Sequence, residues 1–149
     1  NKGDAPVGAN QVFWVDLYVN PNPIPTGVNQ IWQDRSTQGI VWAVHPPLLP
    51  LGPGEVIILT LGDVYYQPEH SNFPGSLPAG TPVYVQVDSA NAGTNYGAVL
   101  ESHEIAEDGV YNNIAGPVFS TDDVMMGKAL MPELTGERPS GAYALPPRP

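Results

Sequence analysis

The sequence predicts an all-β fold, a single β-sandwich with long loops and an extended C-terminal tail. Three observations predict it. Short apolar runs alternate with period two, the repeat of a half-buried strand. The runs are punctuated by 18 prolines and 16 glycines, which turn a chain and interrupt helices. Charged residues make up only 13% of the chain, about half the usual globular share, so amides, hydroxyls and backbone form much of the surface. A length of 149 residues suits one domain.

Residues 12–19 give the clearest strand. Phe13, Val15, Leu17 and Val19 fall on one face, and Val12, Trp14, Asp16 and Tyr18 on the other. Residues 20–27 hold Pro21, Pro23 and Pro25 and read as a loop, because proline cannot donate to a ladder. Residues 40–44 form a second strand, stopped by Pro46 and Pro47. Residues 55–61 form a third, after the turn Leu51-Gly52-Pro53-Gly54, and residues 83–88 a fourth, after Gly80-Thr81-Pro82. The expected core is Phe13, Val15, Leu17, Ile57, Leu59, Val83, Val85 and Val87. Residues 88–113 are polar and rich in turns. Residues 122–131 fit one helical turn or an extended arm, and Pro146-Pro147-Arg148-Pro149 favours a polyproline II linker or tail. There is no internal repeat of solenoid length.

Fifteen acidic and five basic residues give a net charge of −10. Nucleic acid is not an expected partner, since its binding depends on Lys and Arg neutralising phosphates. No apolar run is long enough for a membrane-spanning helix, and membrane insertion is not expected. Cysteine is absent, which removes disulfides and thiolate metal sites. The chain opens at Asn1 without a signal peptide, which reads as a mature or cut product. No nucleophile elbow, phosphate loop or dinucleotide fingerprint occurs. Ser102 and His103 are adjacent and would point to opposite faces of a strand, so they do not make a nucleophile and its base. His45, His70 and His103 lack zinc-ligand spacing. No enzyme activity is expected.

The turn Leu51-Gly52-Pro53-Gly54-Glu55, the strand Val83-Tyr84-Val85-Gln86-Val87-Asp88, the pair Glu101 and Glu104, and Asn112-Asn113 together resemble a CARDB domain, a cell-adhesion-related domain of bacteria and archaea. The resemblance covers residues 1–119 and leaves 120–149 as a C-terminal extension, a donor strand or a linker. It implies an immunoglobulin-like sandwich in a secreted or cell-surface prokaryotic protein. It also implies a missing opening: the segment Asn1-Lys2-Gly3-Asp4-Ala5-Pro6 matches a family segment that one or two strands normally precede.

A sandwich without its opening strand leaves unpaired backbone and an apolar groove. The expectation is that the extension fills the groove, through Ala129, Leu130, Met131, Tyr143 and Leu145, either in cis or in a neighbouring copy. In trans the contact runs head to tail and builds a filament or ring. The expected partners are therefore other copies or neighbouring domains. Asp88, Glu101, Glu104, Asn112 and Asn113 form a candidate calcium site, since calcium takes carboxylate and amide oxygens. The competing reading is that these side chains bond the backbone of their own turns. No other cofactor is expected. A carbohydrate-binding module is the alternative function, with Trp32, Tyr65 and Tyr66 as the rings that would stack on a polysaccharide. Trp14 and Trp42 lie on strands and are expected in the core or groove.

Overall fold

A computed structural model describes residues 1–104, 111–121, 124–125 and 143–149. The fold is all-β with almost no helix. Strands β1 (Phe13–Val19), β2 (Gln38–Val44), β4 (Pro82–Val87) and β5 (Ile114–Phe119) form one antiparallel sheet in the order β2-β1-β4-β5. Two short strands, β3 (Ser76–Leu77) and β6 (Val124–Met125), pair separately. A one-turn α-helix, α1 (Trp32–Arg35), lies in the connection from β1 to β2, and short 3-10 turns occur at Pro68–His70 and Ser102–Glu104.

β1 is central and buried along its whole length. Its register places Leu17 between Ile40 and Val85, and Asp16 between Val41 and Gln86. The alternation of the sequence therefore becomes two covered faces. On the first, Phe13, Val15, Leu17 and Val19 pack with Ile40, Trp42 and Val44 beneath Leu49, Tyr65 and Leu77. On the second, Trp14, Tyr18, Val41 and Ala43 pack beneath Ile31, Trp32, Ala90 and Leu145. Trp32 fits here because β2 has a glycine opposite it: a Cβ on Gly39 would strike the indole and come within 2.7 Å of the Leu17 carbonyl oxygen.

Four expectations need correction or addition. Residues 55–60 form no strand. Their alternation is real, with Ile57 and Leu59 packed on the core and Val56 and Ile58 81% and 82% exposed. Period two reports which side chains are buried; it does not supply a ladder partner. Side chains fasten this segment instead. The Asp63 carboxylate accepts from Thr60 N–H at 2.7 Å, and the Trp42 indole N–H donates to the Thr60 carbonyl at 3.0 Å.

Val87, expected in the core, is 45% exposed, because the layer over Val83 and Val85 stops short of the end of β4. β5 has no counterpart among the strands expected from the sequence. It is an edge strand, and its pairing with β4 is bulged where Ala115 to Val118 face Val85 to Val83. Gly116 takes φ 138°, and a side chain there would press on the Val83 carbonyl and the Tyr84 ring. Finally, the proline-rich end is no free linker. Leu145 packs against both apolar clusters, and the Arg148 side chain is 7% exposed. Residues Ala129, Leu130 and Met131, named for the assembly tail, lie outside the described residues.

Candidate functional site

The second face of the sheet carries a buried ion pair. Asp16 stands in the middle of β1 at 0% exposure. Its Oδ1 accepts from Arg148 Nη1 at 2.8 Å and from Ser89 Oγ at 2.6 Å. Its Oδ2 accepts from Arg148 Nη2 at 2.7 Å and from Trp32 backbone N–H at 3.1 Å. Each oxygen thus takes two donors, and the guanidinium meets the carboxylate as a fork. The Arg148 guanidinium carbon also lies 5.0 Å from the centre of the Trp14 ring, within cation–π range.

The rest of the 143–149 segment is fastened in step. The Trp14 indole N–H donates to the Pro146 carbonyl at 2.8 Å. Ala92 N–H donates to the Pro147 carbonyl at 2.8 Å. Tyr143 stacks on His45, with ring centres 5.0 Å apart and planes at 19°. Prolines suit such a segment: they lack amide hydrogens that would need partners, and they leave carbonyls free to accept. Of the expected assembly residues, Tyr143 and Leu145 therefore lie against the chain's own body.

Beside this pair runs a neutral network. Gln86 is fully buried. Its Oε1 lies 2.6 Å from the Tyr18 hydroxyl, while its Nε2 donates to the Gly27 carbonyl at 3.0 Å and to the Tyr111 hydroxyl oxygen at 2.5 Å. Burial first, then the Asp16 charge, pushes the Tyr18 hydroxyl upward from its ordinary range. Burial likewise raises Tyr111. Both remain neutral hydroxyls that tie β1 and β4 to their covering loops.

Asp88 is the second buried carboxylate, 3% exposed. It follows the last residue of β4 at φ 53° and accepts from Ala98 N–H at 2.8 and 3.0 Å and from Val99 N–H at 2.7 Å. Burial pushes its carboxyl up to about 6; the two amides oppose the rise, while the charges of Glu104 and Glu101 add to it. Three of the five expected calcium residues are thus close enough to feel one another. Yet Glu104 Oε2 accepts from Glu101 N–H at 3.1 Å, and Asp88 is turned onto backbone. Asn113 joins through its main chain, its carbonyl accepting from Val87 N–H at 2.8 Å. Among the described residues, no three acids or histidines group so as to hold a metal.

The rings chosen for sugar stacking need correction. Trp32 is 6% exposed and Tyr65 9%; both lie in long connections, but those connections are the layers that cover the sheet. The Trp32 indole N–H donates to the His70 carbonyl at 2.8 Å. Tyr66 is half-buried. Trp14 and Trp42 are buried as expected. An open cleft at the end of β1 and β2 is lined by polar groups such as Asn20, Asn22, Gln33 and Arg35, with no aromatic ring.

Sequence reasoning missed the Asp16–Arg148 pair. Two signals were present: a lone acid in an otherwise apolar strand, and one of only five basic residues set among prolines. No family model matches the chain, and no curated protein or solved structure matches it.

Proposed function

We propose that this chain is a non-catalytic structural or adhesive module of an extracellular prokaryotic protein, an immunoglobulin-like sandwich of the CARDB kind whose copies or neighbouring domains associate head to tail. One observation carries the reading. The buried Asp16 carboxylate, 0% exposed, holds Arg148 of the 143–149 segment. The other buried polar residues among the described ones, Gln86, Asp88 and Ser89, also bond groups of the chain itself. This is chemistry of fastening. The carbohydrate alternative is weaker, because two of its three rings, Trp32 and Tyr65, are buried.

Light scattering over a hundredfold range of protein concentration, with electron micrographs of the concentrated sample, tests the proposal. The expected result is mass that grows with concentration, or visible filaments. A stable monomer throughout, with no filaments, overturns the assembly role.

A further inference from the structure

We propose that the Asp16 pocket is a guanidinium-binding socket that accepts the 143–149 segment of a second copy of this chain. The inference rests on the assembly reading above and names the contact that would carry it.

The socket is built by the body of the fold. Asp16 comes from the central strand, Ser89 and the Trp32 amide orient its two oxygens, and Trp14 supplies a ring face. None of these groups belongs to the segment that fills it. With the segment removed, a carboxylate at the sheet centre would retain two neutral donors and no counter-charge among these contacts. A buried charge left in that state is strongly unfavourable, so the body demands a cation. The two oxygens, each bonded to its own guanidinium nitrogen at 2.8 and 2.7 Å, ask for a fork rather than a point charge. The carbonyls of Pro146 and Pro147 set the register beside it. The ligand class is therefore an arginine flanked by prolines.

A second copy presents that ligand with every contact unchanged. Exchange of an identical segment between copies is a low-cost route to association for this reason. Residues 126–142 connect β6 to the segment, and a chain of that length reaches at most about 60 Å, several times the width of a small sheet. Reach therefore does not confine the segment to its own body. The two partners also complement in charge within a chain that has only five basic residues.

The test uses two full-length variants, Asp16→Asn and Arg148→Gln. Neither can form the pair alone. Mixed, the intact Asp16 of one can take the intact Arg148 of the other. The expected result is a species of twice the monomer mass in the mixture, absent from either variant alone and dissolved by methylguanidinium but not by methylammonium. A mixture that shows only the masses of its components overturns the proposal. Should a variant fold poorly, a labelled Tyr-Ala-Leu-Pro-Pro-Arg-Pro peptide added to the wild-type chain gives a second readout. It should bind at least tenfold tighter than its lysine counterpart, and equal binding overturns the proposal. The outcome is separable from that of the assembly reading. Wild-type filaments that persist in Asp16→Asn would overturn the socket and leave assembly standing. A monomeric wild type whose variants pair on mixing would do the reverse.

Discussion

Asp16 in β1 and Asp88 just past the end of the neighbouring β4 are both almost wholly out of water, yet the regions around them solve the burial of an acid differently. Around Asp16 the chain brings a full counter-charge from the 143–149 segment, and four donors saturate the two oxygens. Around Asp88, among the described residues, it brings the amides of Ala98 and Val99, while Glu101 and Glu104 stand near enough to repel it. The first solution is long-range, joining residues 132 positions apart. The second is local, closing a turn of about ten residues. The first makes the sheet depend on a distant segment; the second makes a turn depend on pH.

The largest expected effect comes from breaking the first solution. Arg148→Ala strands the Asp16 charge and should cost about 3–5 kcal/mol, read as a lower urea midpoint. Arg148→Lys should recover only part of the loss, since an ammonium cannot bond both oxygens as a fork. A loss below about 1 kcal/mol would mean that the pair is screened as a surface pair is.

The second solution is tested by pH. The Asp88 carboxyl titrates near 6 in the fold, against an ordinary value of 3.8. The folded chain therefore holds the proton more tightly than the unfolded chain. Its contribution to stability is full below about 3.8 and is lost as pH rises through about 6. At 1.36 kcal/mol for each tenfold change in proton affinity, the loss is about 3 kcal/mol. Asp88→Asn cannot titrate, so the stability of the wild type relative to this variant should fall by most of that amount, about 2 kcal/mol, from pH 4 to pH 7. A flat difference would show that the amides fully offset the burial.

Ser89→Ala sharpens the contrast on the Asp16 side. It removes one neutral donor to a carboxylate and leaves the guanidinium in place. The expected loss is about 1.5–3 kcal/mol, the range for a hydrogen bond to a charged group. A loss as large as that of Arg148→Ala would mean that the hydroxyl, and not the counter-charge, holds the acid in the sheet.

How much of this was legible follows from what each pattern encodes. The alternation of 12–19 and 83–88 gave three of the four sheet strands together with 40–44, because burial on one or two faces imprints period two directly. The same pattern misled at 55–61, where side-chain burial exists without backbone pairing. β5 escaped because its bulge needs Gly116 and its edge tolerates Pro117, residues that normally mark strand ends. Asp88 was legible as a site for its acidity, and the structure turns that acid inward to the backbone. Asp16 and Arg148 each stood out singly, but their pairing was illegible because no local rule links position 16 to position 148; the folded sheet brings them together. Trp32 and Tyr65 looked exposed because long loops usually are, whereas here the loops form the cover of a four-stranded sheet.

The smallest expected effect isolates the turn that closes on Asp88. Gly97 and Gly80 hold similar left-handed backbones, φ 91° and φ 78°. A Cβ on Gly80 would meet open space, while one on Gly97 would run into the Asp88 carboxylate. Both alanine variants carry the same backbone strain, about 1–2 kcal/mol. Only Gly97→Ala also pushes the turn off the acid and weakens a bond from Ala98 or Val99. The difference between the two variants should therefore be about 1 kcal/mol, the partial loss of a hydrogen bond to a charged group worth about 1.5–3 kcal/mol when fully removed, in side-by-side urea titrations at pH 7. It should shrink at pH 4, where the protonated carboxyl accepts more weakly from the amides. Equal losses at both pH values would mean that the turn closes on Asp88 through packing alone, and that the local solution is less electrostatic than the long-range one across the sheet.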